Sequence, residues 1–262
     1  MPSFDDRHGR KVAGLFGRIA SWYDFLNHFL SLGQDCIWRK RLTRHVRSAA
    51  NGTVLDLAAG TMDVTREIKN LFPSSRVVSM DFSWPMLVRG RKKMSGKRGC
   101  GVFPVLADAK AIPLAEEDVD CVTIAFGIRN IHPRADAFSE IHRVLKPGGR
   151  LCVLEFGTGR KRVLKGIYNF YLRRILPFLG RFFSGDGTAY SYLAQSIENF
   201  PDAGSLAREM SETGFSRVFY YPLSWGIVYV HVAQKSEPAG DKDEDKPGGN
   251  GQNTHFTQAS RS

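Results

Sequence analysis

The chain has 262 residues, 42% hydrophobic and 24% charged, with 37 Lys and Arg against 26 Asp and Glu, for a formal net charge of +11. That length and balance suit one globular domain with appendages and exclude collagen-like or wholly disordered chains. No stretch approaches the roughly 18 uncharged apolar residues of a membrane-spanning helix, and the opening MPSFDDRHGRKV lacks the apolar core of an export signal.

In chain order, an aromatic-rich segment over Leu15–Arg41 comes first, before any strand signal. Thr53–Leu57 (TVLDL) then reads as a first strand that ends in a glycine-containing turn. A helix is expected over about 64–72, a second strand over Arg76–Met80 and a helix over about 84–95, where Pro85 follows Ser83 as a helix start prefers. The third strand, Gly101–Leu106, contains Pro104 and therefore belongs at a sheet edge. Cys121–Ala125, a helix over about 134–145 and Leu151–Glu155 follow, and Lys146-Pro147-Gly148-Gly149 reads as a structural turn into that fifth strand. Arg217–Tyr221 and Ile227–Ala233 are separated only by Pro222–Gly226, which permits an antiparallel pair and no helical crossover. The alternation predicts an α/β domain with a Rossmann-like seven-stranded mixed sheet closed by an antiparallel C-terminal hairpin.

Two other segments are set apart by composition. Arg160–Arg181 carries seven Lys and Arg among large apolar residues, the pattern either of a core-packed helix with solvated charges or of an amphipathic segment lying on an anionic membrane. From Ser236 onward the chain is rich in Gly, Pro and charge, so a disordered tail is expected over 236–262. That tail is net −2, which leaves +13 on residues 1–235, an excess that attracts polyanions without choosing between nucleic acid and membrane. The four cysteines, Cys36, Cys100, Cys121 and Cys152, form no CxxC pair, so reduced cytoplasmic thiols are expected and no metal site.

The candidate site lies at successive strand ends, where open α/β sheets bind ligands. The first strand runs through Asp56 into Ala58-Ala59-Gly60-Thr61-Met62, a turn before a helix whose first N–H groups are free. A carboxylate there repels phosphate and favours the cationic sulfonium and ammonium end of S-adenosylmethionine; mere loop geometry is the other reading. Asp81, 25 residues on, is placed to accept hydrogen bonds from two ribose hydroxyls, or else to cap the helix after Ser83. Asp108 with Ala109 follows the third strand, where a carboxylate and a backbone N–H can read an adenine edge; by itself Asp108 is only a turn acid. After the fourth strand, Arg129 and Asn130 face the same cleft, unless Arg129 pairs with a surface acid.

These motifs resemble those of the quinone-biosynthesis C-methyltransferases, over nearly all of residues 12–235. The specific pieces are Phe16-Gly17-Arg18-Ile19-Ala20-Ser21-Trp22-Tyr23-Asp24 with Leu30-Ser31-Leu32-Gly33, then Phe126-Gly127-Ile128-Arg129-Asn130, and Arg143-Val144-Leu145-Lys146-Pro147-Gly148-Gly149-Arg150 with Leu154-Glu155-Phe156. Tyr190-Ser191-Tyr192-Leu193, Ser196-Ile197 and Phe200-Pro201-Asp202 complete the match. The resemblance implies a methyltransferase domain over 1–235, with a helical lid at 12–45 and a helical insertion at 156–200. It implies cofactor contacts from Thr61, Asp81, Asp108, Ala109 and Ala125 beside Asp56 and Gly60, and acceptor-pocket roles for Arg129, Asn130 and Tyr23. The cofactor implied is S-adenosyl-L-methionine and the substrate a prenylated quinol, of benzoquinol or naphthoquinol type. A transient peripheral contact with the inner face of the membrane is implied too, with no nucleic acid; a homodimer stays open. Alternatives are a methyltransferase of another substrate such as RNA, or an inactive fold serving as a binding partner. The chain departs from the family at Met62, where glycine is usual, and a side chain near the cofactor's methionine part is expected there.

Overall fold

The computed structural model describes residues 31–94, 96–157 and 195–237, together with Gly14, His28, Tyr192 and Thr257–Gln258. The remainder of the expected lid, insertion and tail lies outside the described residues, and so does Tyr23.

Strands β1 (Thr53–Leu57), β2 (Arg76–Asp81), β3 (Val102–Leu106), β4 (Val119–Ala125), β5 (Leu145–Phe156), β6 (Arg217–Leu223) and β7 (Val228–Gln234) form a sheet in the order β3-β2-β1-β4-β5-β7-β6. The first five are parallel, and β7 runs antiparallel to both β5 and β6. The dipeptide Thr257–Gln258 adds a short parallel pairing to β6. The expected seven-stranded mixed sheet is thus observed. β3 is an edge strand, where Pro104, lacking an N–H, leaves no ladder bond unmade.

The described helices are α1 (Gln34–Thr43), α2 (Asp63–Leu71), α3 (Trp84–Lys93), α4 (Arg134–Val144) and α5 (Ala203–Glu212). Central strands are buried on both faces, and their side chains alternate between two cores. Leu55, Val122, Ile124, Leu151 and Val153 pack with Phe138 and Ile141 of α4 and with Leu206 and Met210 of α5. Val54, Cys121, Cys152 and Leu154 point to the opposite face, against Trp38 and Leu42 of α1 and Val64 and Ile68 of α2.

Boundaries moved where tertiary pairing extended a run. β5 begins at Leu145, because Val119 pairs with Leu145 before the register shifts to Cys121 opposite Arg150. The expected Lys146-Pro147-Gly148-Gly149 turn is therefore an irregularity within the strand, with Gly148 at φ 74. Helix α5 carries no strong start signal beyond Asp202, whose carboxylate accepts from Ser205 N at 2.9 Å and caps it.

Candidate active site

The carboxyl ends of β1, β2 and β4 bring Asp56, Gly60, Thr61, Asp81, Ala125, Arg129 and Asn130 to one edge of the sheet, and Asp108 and Ala109 follow β3 at that edge. After β1 the backbone turns through left-handed conformations at Ala58 (φ 54), Gly60 (φ 54) and Met62 (φ 62). Ala59 N donates to Met80 O at 3.0 Å and Gly60 N to the Asp81 carboxylate at 2.8 Å, so the turn is moored on the end of β2. The other Asp81 oxygen accepts from Ser83 N at 2.7 Å, and Ala107 N donates to the Asp81 carbonyl at 3.2 Å. Asp81 thereby ties the ends of β1, β2 and β3 and also shapes the entry to α3. Removal from water raises its carboxyl above the usual range, against hydrogen bonds from Ser83, Gly60 and Phe82. Asp108 is partly exposed and accepts from Lys110 N at 2.9 Å; Ala109 beside it is buried.

Asp56 lies beneath this turn. It is 1% exposed, and its carboxylate accepts from Thr65 N at 3.0 Å, Thr65 Oγ1 at 2.6 Å and Thr123 Oγ1 at 2.9 Å. The first turn of α2 is therefore held by an acid on β1, and the Met62 cap position makes no side-chain hydrogen bond. Burial pushes the Asp56 carboxyl up to about 6, opposed by the two threonines. Thr61 is likewise buried.

Met62 does not occupy the place expected for it. Its left-handed backbone turns the side chain under α3, where it is fully buried with Leu87 and Met94. Gly90 of α3 makes room: a Cβ there would lie 2.6 Å from Met62 Cγ and 2.9 Å from the Thr61 carbonyl carbon.

On the β4 side, Ala125 is followed by Phe126 at φ 57, then by Gly127, whose missing Cβ would stand 2.5 Å from that of Ala58. The turns after β1 and β4 consequently touch. Arg129 is 4% exposed and donates to Phe126 O at 2.6 Å and to Glu155 Oε1 at 2.7 Å; its guanidinium lies 5.4 Å from the Phe156 ring centre. Its partner is an acid at the buried end of β5, in place of the surface acid considered above. Arg129 Nε is buried with no partner among the described residues. Asn130 Oδ1 accepts from the Tyr192 hydroxyl at 3.1 Å. Burial raises the Tyr192 hydroxyl pKa, with the Arg129 charge pulling the other way, which places tyrosine and guanidinium within electrostatic reach.

Glu155 and Tyr192 were quoted in motifs above without a role. For Glu155 a signal existed: an acid ending the apolar run Leu151–Glu155 needs a buried partner to satisfy its charge. Tyr192 carries no such signal, because its approach to Asn130 spans 62 residues. A further trio, His28, Asp35 and Cys36, gathers potential metal-ligand atoms within 4.8 Å. The Asp35 oxygens are already engaged there by Arg39, Ser31 and His28.

Carboxylates of Asp81 and Asp108 stand at the strand ends, while Lys93, Arg39 and Arg66 near the turn are drawn onto Asp63.

The model of the ubiE/COQ5 methyltransferase family matches residues 5–235. The chain is 42% identical over 229 residues to a ubiquinone/menaquinone biosynthesis C-methyltransferase of Geobacter sulfurreducens, covering 87% of this chain and 89% of the relative. It is 42% identical over 221 residues to a demethylmenaquinone methyltransferase of Thermus thermophilus, covering 84% and 100%. A solved S-adenosylmethionine-dependent methyltransferase of Thermotoga maritima superposes with a TM-score of 0.61 at 18% identity, over 86% of this chain and all of that one (100%), a likeness of fold. With a family model spanning nearly the whole described fold and close relatives of matching length, the chain belongs to the ubiE/COQ5 methyltransferase family.

Proposed function

We propose that the protein uses S-adenosyl-L-methionine to C-methylate the ring of a prenylated quinol, of demethylmenaquinol or polyprenyl-benzoquinol type, at a membrane surface. The observation that carries this reading is the division of the strand ends. Gly60 is hydrogen-bonded to Asp81 at the ends of β1 and β2, with Asp108 just after β3, and Arg129, Asn130 and Tyr192 gather at the end of β4, whose turn touches the one after β1.

When bound, the cofactor supplies an electrophilic methyl group on a sulfonium centre. Asp81 would hold the ribose hydroxyls, Asp108 and Ala109 the adenine edge, and Thr61 with the turn of Gly60 the methionine part. Asp56 holds the turn from below. On the acceptor side, a quinol carbon becomes nucleophilic as its hydroxyl loses a proton, and a fixed cation stabilises the resulting phenolate. Arg129 is that cation, kept in place by Glu155. Asn130 and Tyr192 present an amide and a hydroxyl that orient the ring oxygen, and Tyr23, outside the described residues, would add a hydrogen bond to it. The family's polyprenyl substrates partition into lipid, which gives the basic 160–181 segment a reason to exist.

Calorimetric titration tests the cofactor half. Micromolar binding of S-adenosylmethionine and S-adenosylhomocysteine, abolished by Asp81→Ala, is expected. No binding of either by folded protein overturns the reading and favours a non-enzymatic partner; steeply salt-dependent RNA affinity favours an RNA substrate. Near-normal quinol turnover by Arg129→Ala would remove Arg129 from its role.

A further inference from the structure

Two turns at one end of the molecule hold large apolar side chains in water on strained backbone. Leu32 has φ 52 and is 83% exposed. Ser224, Trp225 and Gly226, between β6 and β7, have φ 46, 56 and 87, and Trp225 is 71% exposed. A left-handed conformation costs a non-glycine residue about 1–2 kcal/mol, and an exposed Leu or Trp forgoes burial besides. Strain spent on exposing apolar groups points to a use for them outside the fold.

The two turns are joined. Trp38 Nε1 donates to Ser224 Oγ at 2.9 Å, and that hydroxyl donates to Gln34 Oε1 at 2.5 Å, which fastens the first turn of α1 to the hairpin. Ile37, beside Trp38, is 57% exposed. Lys40 and Arg41 follow three and four residues on, the spacing of one helix face, and Arg44 comes at the helix end; Lys40 and Arg44 are exposed. The hairpin tip also lies at the cleft end of the sheet, since Val228 pairs with Phe156 at the carboxyl end of β5. Gly157 N donates to Ile227 O at 2.8 Å, which holds the chain just after β5 at this same corner.

We propose that Leu32, Ile37 and Trp225, rimmed by Lys40, Arg41 and Arg44, dock the protein on an anionic bilayer. Separate apolar side chains on raised turns suit insertion among lipid headgroups, where Trp is favoured, and the adjoining cations match anionic lipid. Docking here turns the cleft end toward the bilayer. The inference deepens the proposed function, because only a membrane-dissolved acceptor needs the cleft so placed.

The test is sedimentation of the whole protein with phosphatidylglycerol/phosphatidylcholine vesicles, alongside turnover of a short-chain, water-soluble quinol. The double variant Leu32→Gly/Trp225→Gly relieves the strained backbone as it removes the side chains. It is expected to partition at least about tenfold more weakly, with soluble-quinol turnover unchanged. Lys40→Gln/Arg41→Gln/Arg44→Gln should weaken binding to the anionic vesicles and leave pure phosphatidylcholine unaffected. Unchanged partition of the double variant, absence of wild-type binding, or a dimer that the double variant dissociates overturns the proposal. If no quinol is turned over, the proposed function falls, while the vesicle measurement still decides the docking face.

Discussion

A carboxylate in the middle of a sheet must be answered by its neighbours, and Asp56 is answered by two threonines, with no cation hydrogen-bonded to it among the described residues. Its carboxyl is pushed up to about 6, from an ordinary value of 3.8. A folded-state value above the unfolded one means that this group favours the fold below about pH 4, and that this contribution is lost as pH rises through about 6. Asp56→Asn keeps an acceptor toward Thr65 and offers an N–H to the Thr123 hydroxyl. Urea unfolding of both proteins from pH 4 to 7 should show wild type losing up to about 3 kcal/mol relative to the variant. A difference independent of pH would show that Asp56 does not titrate there. Arg129 illustrates the opposite solution: its charge is matched by Glu155 at 2.7 Å in a pocket where both side chains are almost fully buried. Removing one member of such a pair leaves the other uncompensated, so Glu155→Ala is expected to lose about 3–5 kcal/mol of stability in the same assay.

The turn after β1 and α3 are built to each other. Met62 goes under the helix only because Gly90 presents no side chain, and the Thr61 backbone passes nearly as close. Gly90→Ala would force α3 and the turn apart, with an expected loss of about 1–3 kcal/mol and weaker S-adenosylmethionine binding by calorimetry. Truncation of Met62 to Ala in that background should recover only part, because the Thr61 carbonyl carbon still stands 2.9 Å from the new methyl group. Full recovery would mean that the Met62 side chain alone sets the fit. Helix α2 follows the same rule of help from outside the helix, its first turn being held by Asp56 on β1.

For the molecule as a whole, two facing cores on one sheet imply cooperative unfolding, and the cysteines report it. Cys121 and Cys152 lie on neighbouring strands with sulfurs 4.0 Å apart, fully buried, whereas Cys36 and Cys100 are exposed. Contact with Cys152 and burial hold the Cys121 thiol well above its usual pKa. A thiol reagent should label two cysteines at once and the other two only at the rate of global opening. Four fast thiols would show that the β4–β5 centre opens locally.

Local pattern determined much of this protein. Short apolar runs broken by turn residues predicted all seven strands, six of them to within a few residues and β5 without its first six, Pro104 announced an edge, and a five-residue link announced the antiparallel hairpin, because each follows from backbone chemistry within a few residues. The acids at strand ends were legible for the same reason: a strand end in an open α/β sheet is a place known from sequence order. What the tertiary structure alone decided are the partners. That Asp56 lies beneath the turn, that Met62 points under α3, that Arg129 is held by Glu155 and Asn130 by Tyr192, and that strained turns raise Leu32 and Trp225 together, all depend on groups from distant parts of the chain. Side-chain direction and burial are set by such packing, and no local periodicity encodes them.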